Sequence, residues 1–121
     1  MRLANVIILV SDLDRAERFY RDTLGLKETG RVEREFVFFD AGGVALAIRA
    51  TGRVAVPGDT ELSFEVPDVL SAYDSLRSRV AFSEAPRAVT GDETQDLYAA
   101  NFTDPDGHSL SITGWVPKAG R

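Results

Sequence analysis

Few side chains in this sequence can do chemistry, which narrows the reactions open to it. The 121 residues include one histidine and no cysteine. Without a thiol there is no thiolate nucleophile, no zinc–sulfur site and no disulfide framework. His108 follows the run Asp104-Pro105-Asp106-Gly107 and reads as an exposed residue at a strand start; an acid–base or ligand-contacting role is the sharper alternative. No serine lies in a recognisable nucleophile motif. Gly42-Gly43 lacks the lysine and the following helix of a phosphate cradle. Carboxylates remain. Alternation along a strand places Glu61, Ser63 and Glu65 on one face, where hydrogen bonding or proton transfer is the chemistry available.

Composition excludes several classes. The chain suits one domain, able to bury roughly two-thirds of its unfolded surface. Apolar residues make up 44% and charged residues 27%, which argues against disorder as a whole-chain reading. No apolar run approaches the ~20 residues that span a bilayer. The opening MRLANVIILVSDLD reads as a first strand, not a signal peptide. With the lack of cysteine, this fits a cytoplasmic protein. A net charge of −5 argues against a nucleic-acid partner. Arg15, Arg18 and Arg21, interleaved with Glu17 and Asp22, read as a solvated helix face.

The elements that must position these residues repeat. Shifting the sequence by 56 lays Val6-Ile7-Ile8-Leu9-Val10-Ser11-Asp12-Leu13 over Leu62-Ser63-Phe64-Glu65-Val66-Pro67-Asp68-Val69. A shift of 64 lays Asp40–Ile48 over Asp104–Ile112, and the extra residues predict a longer loop around 83–94. In the first half, residues 4–10 form a strand and Ser11 or Asp12 caps a helix that Gly25 ends. Residues 34–40 and 43–49 form a hairpin around Gly42-Gly43, with a short, poorly marked strand near 30–33. The second half gives a strand over 60–66, a helix over 68–80, and a hairpin of 96–103 with 108–115. The link, 50–59, reads as short and ordered.

Three motifs in order carry a family resemblance over nearly the whole chain. Val10-Ser11-Asp12-Leu13 with Ala16, Phe19-Tyr20 and Leu24-Gly25-Leu26 opens it; Phe64-Glu65-Val66-Pro67-Asp68 and Asp104-Pro105-Asp106-Gly107 follow. Together they resemble the vicinal oxygen chelate superfamily, the glyoxalase, bleomycin-resistance and extradiol dioxygenase group. The resemblance implies an α+β fold of two βαβββ modules whose curled mixed sheets enclose a concave cavity. Residues 1–121 then form a single domain, with module one about 1–50 and module two about 59–116. In small members two chains pair, so a homodimer with two equivalent sites is implied, although two modules of one chain closing their own site is the alternative.

Active members of that family hold a divalent metal with His, Glu or Gln from the first and last strands of each module. The matching positions here are Asn5, Ala47, Glu61 and Ser111. Only Glu61 is a good ligand, and one carboxylate does not hold a transition metal against water. No metal and no cofactor are therefore expected.

The cavity remains. Alternation points Asn5, Ile7 and Leu9 of the first strand into it, with Ala45, Ala47 and Arg49, Glu61, Ser63 and Glu65, and Ser109, Ser111 and Thr113 from the others. Phe36, Phe38, Tyr98 and Trp115 are candidate stacking residues or, equally, plain core. This lining fits a planar amphipathic small molecule. The expected ligand contacts are Asn5, Ile7, Phe38, Ala47, Arg49, Glu61, Ser63, Tyr98, Ser111 and Trp115. The first reading is a metal-independent binding protein of the bleomycin-resistance type, sequestering or carrying an aromatic or amphipathic molecule. The alternatives are a lyase, isomerase or dioxygenase, metal-dependent or using a buried Glu61 as general base, and an accessory dimer with no ligand. Glu61 is the candidate catalytic residue; its structural alternative is an ion pair with Arg49 or another arginine.

Overall fold

A computed structural model describes residues 1–50 and 60–118, so the link expected over 50–59 lies, from residue 51 on, outside the described residues. The chain divides into two compact units, Met1–Val56 and Pro57–Arg121. Each is a βαβββ module.

The first runs β1 (Asn5–Val10), α1 (Leu13–Arg18), a π-helical turn (Phe19–Thr23), β2 (Lys27–Val32), β3 (Phe36–Asp40) and β4 (Ala45–Ala50). Its sheet has the order β1-β4-β3-β2, with β1 parallel to β4 and the other pairs antiparallel. The second runs β5 (Glu61–Glu65), α2 (Val69–Leu76), β6 (Glu84–Gly91), β7 (Gln95–Thr103) and β8 (Ser109–Pro117), in the equivalent order β5-β8-β7-β6. The architecture is thus α+β with two four-stranded mixed sheets.

The repeat is visible at single residues. Asp12 and Asp68, 56 positions apart, are both extended N-caps whose carboxylates accept from the amide three residues on, Arg15 and Ser71, each at 3.1 Å. The backbone and hydroxyl hydrogen bonds from Ser71 hold the Asp68 carboxyl below its ordinary range. The helix after Asp12 departs from the expected form in its last turn. Leu24 N–H bonds to Phe19 C=O, five residues back, before Gly25 turns out at φ 77°.

One face of each sheet is covered by its own helix. On β1, Ile8 and Val10 are buried while Asn5, Ile7 and Leu9 are exposed, as alternation predicts. Val37, Phe39, Leu46 and Ile48 continue that buried face, joined by Tyr20 from the π turn. In the second unit Phe102, Leu110 and Ile112 take this place under Val69. Each such side chain contributes about 1.5–3 kcal/mol relative to exposure.

Two expectations are corrected. The segment 83–94 is not a loop: it contains β6, an eight-residue edge strand with two register shifts against β7. The charged helix face is not wholly solvated either. Glu17 is buried and accepts from Arg21 at 3.2 Å and from Arg31 of β2, tying helix to sheet edge. Among the described residues no helix is long and apolar enough to cross a membrane.

Candidate functional site

The faces turned away from the helices carry most of the expected site residues. In the second unit, register sets Ser63 opposite Ser111 and Ser111 opposite Asn101. The Ser111 hydroxyl, buried, donates to Ser63 Oγ at 3.0 Å. Glu61 is exposed, and its Oε1 accepts from Asn101 Nδ2 at 3.0 Å. Asn101 Oδ1 accepts in turn from Arg87 Nη1 at 3.2 Å, and Arg87 pairs with Glu84 at 2.7 Å. The result is a polar strip in which an amide, itself fixed from behind, orients a solvent-facing carboxylate. Among the described residues Glu61 bonds to Asn101 and to no arginine. Trp115 lies opposite Leu97 on the same face, 42% exposed.

Asn101 was not among the sequence-based candidates, though a signal existed. The Asp104–Gly107 turn fixes Thr103 against Ser109, and counting two residues away from the turn on each strand sets Asn101 against Ser111. Tyr98 does not join this face. It pairs with Gly114, whose missing Cβ would meet Val69 of α2, so Tyr98 lies on the helix side of the sheet.

The first unit presents a different surface. Ile7, Ala47, Phe38 and Gly30 lie in one row across the sheet, and Leu9, Arg49, Phe36 and Val32 in the next. Ile7, Leu9 and Val32 are 52%, 44% and 50% exposed. The Phe36 and Phe38 rings stack at 5.7 Å and 16°. The Arg49 guanidinium lies 5.2 Å over Phe36 and pairs with Glu35 at 3.2 Å. Asn5 is exposed at the end of β1, and Ala47 is fully buried.

His108 serves the turn through its backbone. Its N–H donates to Asp104 Oδ1 at 2.8 Å and its C=O accepts from Asp104 N–H at 3.1 Å.

A family model described as the Glyoxalase/Bleomycin resistance protein/Dioxygenase superfamily matches residues 2–112. The chain belongs to this superfamily. A virulence protein of Salmonella typhimurium is 26% identical over 95% of this chain and 85% of its own. A crystal structure of a protein of unknown function from Agrobacterium tumefaciens is 28% identical, covers 94% of each chain and has a TM-score of 0.74. A lactoylglutathione lyase from the same organism shares the fold at TM-score 0.73, 19% identity, and 93% and 92% coverage.

Metals in this superfamily need several donors, and the four matching positions do not supply them. Ala47 has no donor atom, Ser111 offers a neutral hydroxyl, a weak ligand, and Glu61 is the one carboxylate of the four. Asn5 offers a neutral amide, a poor ligand. Among the described residues no three His, Cys, Asp or Glu side chains gather. The residues present do not fit a divalent centre of the superfamily type. After incubation with zinc, nickel, manganese or ferrous iron and dialysis, elemental analysis is expected to find far less than one metal per chain. Near-stoichiometric retention would overturn this.

Proposed function

We propose that this superfamily member binds a small planar aromatic or amphipathic molecule without a metal, sequestering or carrying it in the manner of a bleomycin-resistance protein. The observation that carries the reading is the helix-free face of the first sheet. There Ile7, Leu9 and Val32 stand half-exposed beside the stacked Phe36 and Phe38, where water gains nothing and an apolar ligand would. On the second sheet, taken by itself, Glu61, Ser63 and Ser111 form a polar strip suited to a hydrogen-bonding ligand.

A second reading, metal-free acid–base catalysis by Glu61, is favoured by one contact. Asn101 fixes the carboxylate's direction without neutralising it. The buried general base expected from sequence is replaced by an exposed, amide-oriented one. Glu61→Gln serves both readings, because it preserves shape and removes charge. Stability is expected to change by less than about 0.5 kcal/mol, as for other exposed substitutions. Cognate-ligand affinity or turnover is expected to fall about tenfold, the loss of one charge-assisted hydrogen bond. Calorimetric titration beside thermal melts reads both, and unchanged binding and turnover would remove Glu61 from the site.

We also propose a twofold homodimer. The strand orders place β1 and β2, and β5 and β6, at the edges of their sheets, and oligomer contacts commonly protect such edges. Sedimentation at micromolar concentration is expected to give about twice the 13.2 kDa chain mass. A species of one chain mass would refute the dimer.

A further inference from the structure

We infer that the ligand is a planar aromatic anion, its ring on the Phe36–Phe38 shelf and its carboxylate on Arg49. This rests on the ligand-binding reading above and names the chemical class. The two rows across the first sheet, Ile7-Ala47-Phe38-Gly30 and Leu9-Arg49-Phe36-Val32, contain one charged side chain, Arg49. The other side chains of these two rows are apolar, and the acid that reaches Arg49 comes from outside them, Glu35. A Cβ added at Gly30 would lie 4.0 Å from Phe38 Cδ2, so the Phe38 ring reaches over Gly30 and widens the shelf.

Arg49 is placed to receive a carboxylate. Its guanidinium carbon sits over the Phe36 ring, 5.2 Å from the centroid, a cation–π contact that does not consume N–H donors. Among the described residues its hydrogen-bonding partner is Glu35, through Nη2 alone. Both side chains of that pair are about half exposed, so water screens it and a ligand carboxylate can exchange for it at little cost. A carboxylate arriving with its own ring gains two-pronged hydrogen bonds that Glu35 does not make. A ligand cation would meet like charge. Apart from Glu35, the acid on this face is Asp40, opposite Ala45 and two rows from Arg49, and its Oδ1 accepts from Gly42 N–H at 2.9 Å. The net charge of −5 repels anions at long range, so selectivity must come from this local contact.

Three probes of one shape and different charge test the inference: naphthoate, naphthylmethylamine and naphthylmethanol, titrated calorimetrically into the full chain. Naphthoate is expected to bind about tenfold tighter than the other two. Arg49→Met should bring it to within about twofold of the alcohol, while Arg49→Lys should keep part of the preference. Tightest binding of the amine, or an anion preference that survives Arg49→Met, overturns the inference. Equal binding of all three overturns the anion alone and leaves the ligand-binding reading standing. No binding of any probe at millimolar concentration overturns both. If Ile7→Glu turns a dimer into monomers, the face is the seat of a second copy and the inference fails on that ground.

Discussion

Asp104→Ala is expected to be among the most damaging substitutions in the protein, costing about 2–4 kcal/mol. Asp104 is 4% exposed, and its Oδ1 accepts from Asp106 N–H at 2.9 Å and His108 N–H at 2.8 Å. Alanine removes the acceptor from both amides at once. A buried amide left without a partner costs about 1–3 kcal/mol, and because these two are part-buried the sum falls below the maximum. The loss spreads, because this turn fixes Thr103 against Ser109 and so sets the β7–β8 register. Asp104→Asn keeps an acceptor oxygen in place and is expected to cost less than about 1 kcal/mol. Thermal or urea melts of the two variants separate the cases. Equal stabilities would show that the hydrogen bonds do not carry the turn.

That turn also explains why so much of the fold was legible. Asp-Pro-Asp-Gly and Gly42-Gly43 are local instructions: Gly42, Gly43 and Gly107 adopt φ of 79°, 99° and 87°, which other residues rarely reach. The Asp12 and Asp68 caps are equally local. Strands buried on one face, such as β1, declare themselves by alternation. Edge strands do not. β2 reads KETGRV and β6 reads EAPRAVTG, both mostly exposed and interrupted by register shifts, so neither carries an apolar period. Their stability comes from pairing with β3 and β7, which no local pattern records.

The candidate site was legible where register follows from a short strand and was lost where it does not. Ile7, Ala47, Arg49, Phe38, Ser63, Ser111 and Glu61 all fall on the expected helix-free faces of their own sheets. Tyr98 was misplaced because β7, nine residues reading QDLYAANFT, has apolar side chains in succession, and parity cannot be read from such a run. The role of Asn101 depends on a partner 40 residues away, Glu61. The buried position of Glu17 depends on Arg31, 14 residues on in β2. Mixed charges on a helix look solvated until the strand that meets them is placed.

Gly114→Val is expected to destabilise the protein by about 3 kcal/mol, lowering the melting temperature by roughly 10 °C. Gly114 follows Thr113 in β8, and its backbone runs directly under the start of α2. A Cβ built there would be 2.9 Å from Val69 Cβ, 3.0 Å from Val66 O and 3.3 Å from Val69 Cγ1. None of these atoms can swing away. Val69 is 1% exposed, and Val66 is tied to β8 by its N–H, which donates to Thr113 C=O at 2.8 Å. Relief therefore requires lifting the β5–α2 junction off the sheet. The gain from a less flexible unfolded chain, about 0.4–1 kcal/mol for Gly→Ala, is too small to compensate. Gly114→Ala should already be destabilising, by about 1–2 kcal/mol. Gly30→Ala supplies the contrast, since its new Cβ meets only Phe38 Cδ2 at 4.0 Å in a backbone conformation open to any residue. That variant is expected to be neutral or slightly stabilising. If Gly114→Ala and Gly30→Ala melt together, the close approach of α2 to β8 is not what Gly114 is there to permit.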